Sequence, residues 1–134
     1  MSHNATYGTS IRCADKSILA MSVEWLKKQG VLQIVKDIIV WGYGRRRQTM
    51  WASGIGVQLK GQTYGIDITI AQDGTVMFTG ENMAEHEFMV FKDLLEQTYE
   101  AVVARMKAIE MGFQTEMQII EENGEKVVEL LGVD

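Results

Sequence analysis

The stretch on either side of Asp73-Gly74 constrains the fold more than any other part of the sequence. Apolar residues alternate with small or polar ones over residues 64–71, which is the pattern of a strand with one buried face. Asp-Gly is a strong hairpin signal, so residues 75–79 are expected to return antiparallel. Strand-like residues 51–60 precede a turn at Gly61-Gln62. Three strands joined by short turns predict an antiparallel meander.

Two amphipathic helices are predicted, one before and one after the meander. Asp15 is a suitable N-cap for a helix that runs to about Gln29, and Gly30 is a typical residue just beyond a helix. A longer helix is predicted over residues 84–111, before Gly112. Its apolar residues recur every three or four positions and form one stripe, which consists of Phe88, Phe91, Leu95, Tyr99, Val102, Met106 and Ile109. Its charged residues are expected to form a solvated face, which consists of Glu85, Glu87, Asp93, Glu96, Glu100 and Lys107.

The remaining strand signals complete the predicted architecture. Residues 5–12 predict a first strand, and residues 31–41 predict a second strand that could be interrupted near Lys36-Asp37. A closing hairpin is predicted from residues 113–120 and 126–131, with Asn-Gly in its turn. The predicted class is therefore α+β: one domain over residues 1–134, with an antiparallel sheet and both helices on one of its faces.

Composition indicates a soluble globular chain. The 134 residues are 46% apolar and 23% charged, and no apolar run is long enough to span a membrane. The N-terminal residues lack the pattern of a signal peptide. Cys13 is the only cysteine, so an internal disulfide is impossible, and a reducing cytoplasm is the expected location.

Charge is distributed unevenly along the chain. Residues 1–60 hold nine Lys/Arg and three Asp/Glu, a net charge of +6, whereas residues 61–134 hold four and fifteen, a net charge of -11, which together give -5. Such asymmetry predicts a basic binding face, unless the two halves pack together and partly neutralise each other.

The segment 41–51 is the candidate binding site, because it combines three arginines, two glycines and three large aromatics between two strand-like regions. Guanidinium and aromatic groups stack on bases, bind phosphates or anchor protein partners. We expect this segment to be a loop at the end of the sheet; the alternative is a solvated hairpin tip whose tryptophans point into the core. The candidate partner-binding residues are Trp41, Tyr43, Arg45, Arg46, Arg47 and Trp51.

Short motifs along most of the chain carry a resemblance to a known family. They are Met1-Ser2-His3, Gly42-Tyr43-Gly44, Tyr64-Gly65-Ile66-Asp67-Ile68, Gln97-Thr98-Tyr99, Gly112-Phe113-Gln114 and Asn123-Gly124. In their order and spacing the chain resembles an uncharacterised family first catalogued as a hypothetical reading frame of algal chloroplast genomes, with members in cyanobacteria, other bacteria and phages.

The resemblance implies a compact α+β fold and a phage or bacterial accessory protein, but no mechanism, because that family has no established activity. Two features of this sequence depart from the family. Gly80-Glu81-Asn82-Met83 replaces a segment that usually bears tryptophan, and the arginines at 45–47 look like a local elaboration.

Other candidate chemistry is sparse. Asp67 or Cys13 could serve an enzyme, but neither has a recognisable catalytic partner in the sequence. His86 lies between two glutamates on a predicted helix, where adjacent side chains point apart, and His3 lies near the N-terminus, so no metal site and no cofactor are expected. The methionines are expected to fill the core, while exposed ones such as Met83 or Met89 could form an adaptable interaction surface.

Three functional hypotheses follow from these features. The first is a non-enzymatic binding protein that docks on a macromolecular partner, most simply a protein, through segment 41–51. The second is a nucleic-acid or nucleotide-phosphate binder that uses Arg45–Arg47, although such binders are usually basic overall. The third is a small enzyme that uses Asp67 or Cys13. Pairing of exposed strand edges could also produce a homo-oligomer.

Overall fold

The computed structural model describes residues 4–12, 14–34, 37–41, 47–51, 54–61, 65–81 and 85–133. The helices are α1 (Lys16–Lys28) and α2 (Glu85–Glu110). The strands are β1 (Asn4–Gly8), β2 (Leu32–Ile34), β3 (Asp37–Trp41), β4 (Arg47–Trp51), β5 (Ile55–Leu59), β6 (Gly65–Ile70), β7 (Val76–Glu81), β8 (Gln114–Glu122) and β9 (Glu125–Val133). The predicted α+β class with an antiparallel sheet is confirmed.

A five-stranded antiparallel sheet with the order β1-β7-β6-β5-β2 forms the centre of the fold. The predicted meander β5-β6-β7 is confirmed, with Ile68 paired to Ile55 on one side and to Phe78 on the other. Directly paired residues share a face, so one face of the sheet is apolar. Its buried side chains lie in one cluster with those of both helices, as predicted: Leu32, Val57, Leu59, Ile66, Ile68, Val76 and Phe78.

Local signals end the elements where the sequence predicts. The Asp15 carboxylate accepts hydrogen bonds from the first-turn amides of α1, and Gly30 has a positive φ of 78° beyond its end. The turn between β6 and β7 places Gly74 at φ 86°, and the Asp73 carboxylate accepts from the Thr75 amide at 2.9 Å. Hydrogen bonds from Thr75 hold the pKa of Asp73 below its ordinary value.

The terminal hairpin β8–β9 is longer than predicted. Asn123 and Gly124 both have positive φ, 54° and 80°, as a two-residue type I′ turn requires. Because this turn matches the twist of the flanking strands, pairing continues up to Glu122 and Glu125. The hairpin packs against α2, and Ile119 on β8 contributes to the core.

The secondary structure of segment 41–51 differs from the predicted loop. Arg47–Trp51 forms β4, which pairs antiparallel with β3 in a hairpin separate from the main sheet. Strand β3 contacts β5, β6 and β7, and the sheet residues on the side away from the helices, Gly56, Gly65 and Asp67, are buried. The hairpin therefore lies against the second face of the sheet, where the two glycines permit close approach.

Helix α2 contacts α1, β8 and β9. Its Gln97 amide binds the backbone of β9, accepting from the Val128 amide at 2.9 Å and donating to the Lys126 carbonyl at 3.3 Å. The hydroxyl of buried Tyr99 accepts from the amide of Asp15 at 2.9 Å. The motif Gln97-Thr98-Tyr99 therefore joins α2 to β9 and to the N-cap of α1.

Two expectations for α2 are wrong in detail. The apolar stripe is buried from Phe88 to Val102, but Met106 and Ile109 are exposed. On the charged face, Glu96 is only 14% exposed and accepts a hydrogen bond from the Ser10 amide at 2.5 Å and a bond from Lys92 at 3.1 Å. A chain segment before α1 therefore covers part of the face expected to be solvated.

Replacing Gly80 with alanine should destabilise the fold. An added Cβ would lie 2.3 Å from Cζ of Phe88, whose ring packs at 5.8 Å from Phe78 and cannot move freely. We expect overpacking to lower the free energy of unfolding by about 1–3 kcal/mol in urea titrations. Gly132→Ala is the matched control, because nothing lies within 4 Å of its Cβ position. Equal unfolding midpoints for both variants would contradict this packing.

Glu96 should make folding stability depend on pH. Burial alone would raise the pKa of this carboxyl, but hydrogen bonds from Ser10 and Lys92 outweigh it and leave the pKa below its ordinary value. Its stabilisation is therefore complete above the unfolded pKa of about 4.3 and declines as the pH falls through the lower folded pKa.

The stability lost in Glu96→Gln should accordingly be larger at pH 7 than at pH 3, when measured by urea unfolding. The exposed Glu100 on the same helix serves as the matched control, since Glu100→Gln also removes one negative charge from α2. A loss that stays constant between the two pH values would show that ionisation of Glu96 does not stabilise the fold.

Candidate functional site

The backbone register of the β3–β4 hairpin brings two of the predicted binding residues together. Trp41 ends β3 and Arg47 begins β4, and their Cα positions are direct partners. Trp51 ends β4 at the opposite end of the hairpin, about 13 Å along the strand from Arg47 at the usual rise per residue. The predicted cluster is therefore split: Trp41 and Arg47 are neighbours, and Trp51 is paired with Asp37 instead.

Tyr43, Arg45 and Arg46 lie outside the described residues. They belong to the stretch that connects Trp41 to Arg47, the paired ends of the two strands. The chain positions of the arginine run are thereby tied to one end of a hairpin whose strand β3 contacts the central sheet.

Asp67 is a structural residue in the described part of the chain. It is 6% exposed, and its carboxylate accepts a hydrogen bond from the Gly54 amide at 3.1 Å. Gly54 approaches β6 so closely that an added Cβ would lie 2.0 Å from the carbonyl oxygen of Ile68. Asp67 thus secures the chain where it enters β5. Cys13, the other residue considered for catalysis, lies outside the described residues.

The histidines are not brought into a ligand set by the described structure. His86 is exposed in the first turn of α2, and His3 lies outside the described residues. Within the described ranges, no group of three or more His, Cys, Asp or Glu side chains could hold a metal ion. A shallow cleft of about 530 Å³ adjoins His86 and carries Lys60 and Lys126 at its rim.

The exposed methionines are not those that the sequence suggested. Met89 is half-buried against the core, and Met83 lies outside the described residues. Among the methionines whose side chains are described, the exposed ones are instead Met21, Met106 and Met111. The only sequence feature that pointed to this exposure is that the apolar stripe of α2 continues for two turns beyond Tyr99. Periodicity identifies a stripe but does not show which part of it another element covers.

No protein-family model, curated protein or solved structure matches the chain significantly. Neither helix in the described part of the chain combines the length and the apolar character needed to cross a membrane.

The role of Asp67 can be tested by changing its acceptor oxygens. Asp67→Ala leaves the Gly54 amide without this acceptor and should lower the free energy of unfolding by about 1–3 kcal/mol. Asp67→Asn retains one acceptor oxygen, so its loss should be smaller in the same chemical denaturation experiment. Two variants as stable as the parent chain would rule out this structural role.

Proposed function

We propose that this protein is a non-enzymatic binding protein that docks on a protein partner through segment 41–51. The proposal includes a cytoplasmic accessory or inhibitor protein of a phage or bacterium, in keeping with the family that the sequence resembles. The observation that carries it is the register of the hairpin, which pairs Trp41 with Arg47 at the end where residues 42–46 connect the strands. Tryptophan, tyrosine and arginine dominate the energetics of protein interfaces.

The contacts of the hairpin support a docking role. Strand β3 contacts three strands of the central sheet, so the segment has a firm base. A rigid base lowers the conformational entropy lost when a loop binds, and this strengthens binding without additional contacts. Asp67, by contrast, is occupied in holding the Gly54 amide, which argues against the enzyme hypothesis.

Removing the arginine charges should abolish partner capture. Arg45, Arg46 and Arg47 would be changed together to alanine, and the tagged full chain would be used to purify partners from host lysate. We expect at least about a tenfold loss of the specifically retained protein, because interface arginines commonly contribute 2 kcal/mol or more. The thermal midpoint should stay unchanged.

The matched control removes the same charge elsewhere. Lys16, Lys27 and Lys107 are exposed and lie outside the hairpin, so their joint replacement with alanine should leave capture intact. Undiminished capture by the arginine variant would refute docking through this segment.

A salt-dependent titration separates the protein partner from a nucleic acid. The arginines belong to a half of the chain with a net charge of +6, so phosphate binding is the competing use of the same segment. Single-stranded oligonucleotides would be titrated at about 50 and 200 mM salt, since binding to phosphates weakens steeply over this range. Tight, salt-sensitive binding would favour the nucleic-acid hypothesis over the protein partner.

A further inference from the structure

Large apolar side chains are exposed together on the side of the molecule formed by α1, α2 and β8. Met21 is 43% exposed, Met106 is 41% exposed and Ile109 is 55% exposed. These three side chains, with Trp25 and Met117, line one groove of about 420 Å³, which we call the α1–α2 groove. Single exposed apolar residues are ordinary, whereas a concave group from three elements is typical of an interaction site.

The groove lies where the apolar stripe of α2 becomes exposed, toward the C-terminal end of the helix. The apolar stripe of α2 is buried as far as Val102 and then continues through the exposed Met106 and Ile109. Met21 and Trp25 on α1 extend the same apolar surface across the helix pair, and Met117 on β8 closes it from the other side. The uncovered stripe has the spacing that receives another helix.

The charges in the groove specify which kind of helix would fit. Lys28 and Arg105 are lining residues, and Glu24 is the acidic residue among them, so the lining is net positive in an acidic chain. The Nε atom of Arg105 is buried and has no hydrogen-bond acceptor among the described residues, and no described carboxylate pairs with this guanidinium. A half-buried guanidinium is stabilised by a carboxylate, which the described fold does not supply.

We propose that the α1–α2 groove binds an acidic amphipathic helix of a protein partner. The apolar side chains of that helix lie against Met21, Trp25 and Met106, and one of its carboxylates pairs with Arg105. Methionine side chains adapt to different apolar surfaces, which suits this mode of binding. The groove contains no residue of segment 41–51, so this proposal stands or falls separately from docking through the hairpin.

Charge also argues against a second copy of the chain as the occupant. In a twofold dimer the same patch faces itself, so two α1–α2 grooves would bring together two linings that are each net positive. Like charges brought together in an interface oppose association. A partner with acidic residues beside its apolar ones avoids this repulsion.

Methionine methyl signals in NMR spectra provide a direct test with the full chain. The probe is a synthetic helical peptide of about 18 residues with leucine on one face and glutamate on the other, and the comparison peptide carries lysine in place of glutamate. With the glutamate peptide, the methyl signals of Met21, Met106 and Met117 should shift in a saturable manner. The signal of Met77 on β7 should not shift, because that residue lies outside the groove.

The lysine peptide should bind at least about tenfold more weakly, since it places like charges against Arg105 and Lys28. Arg105→Met keeps the apolar stem and should weaken the glutamate peptide by about tenfold as well. Met106→Lys should reduce binding by a similar factor. Met111→Lys is its matched control, because Met111 is exposed but does not line the groove, and it should bind as the parent chain does.

Several results would overturn the proposal. They are the absence of any shift at the groove methionines with the glutamate peptide, equal binding of both peptides, and equal losses from Met106→Lys and Met111→Lys. Shifts of the same methionines on raising the protein concentration without peptide would identify a second copy as the occupant and would equally refute a partner helix.

Discussion

The packing of α2 against Phe78 is the interaction on which the rest of the structure depends. The Phe78 ring, on the helix-covered face of the sheet, contacts Tyr7 at 5.6 Å, Phe88 at 5.8 Å and Phe91 at 6.2 Å between ring centroids. These contacts join β1, β7 and α2 in one aromatic cluster. The cluster is possible because Gly80 leaves room for the Phe88 ring. Offset and edge-on aromatic pairs stabilise beyond the area they bury, so this arrangement holds α2 at one position on the sheet.

Once α2 is held there, its polar residues order the remaining elements. Tyr99 binds the amide of the α1 N-cap, Glu96 binds the segment that leads to α1, and Gln97 binds the backbone of β9. Both proposed binding surfaces lie outside these hydrogen-bonded contacts of α2. Segment 41–51 belongs to the hairpin on the opposite face of the sheet, and the α1–α2 groove is lined by the C-terminal part of α2.

Much of the fold could be predicted because its signals act over a few residues. Asp15 and Gly30 bound α1, and Asn123-Gly124 sets the terminal hairpin, through capping and turn geometry that the neighbouring residues determine. The strand Arg47–Trp51 was not predicted, since its ladder comes from pairing with β3 and not from its own propensity. For the same reason the sequence suggested one aromatic and arginine cluster, whereas the register separates Trp51 from Trp41 and Arg47.

The sequence by itself determined the two helices, the meander and the terminal hairpin, together with their turns and the apolar stripe on each helix. Only the tertiary structure decided how far each stripe is covered. Met106 follows the same periodicity as Tyr99, yet one is exposed and the other buried, because burial depends on whether another segment reaches that turn of the helix. Likewise, in the sequence Asp67 is one of several polar strand residues. Its hydrogen bond with the Gly54 amide exists only because the chain crosses close to β6. Capping and periodicity are local properties, whereas the burial of each helix by other elements is set by strand register and helix length together.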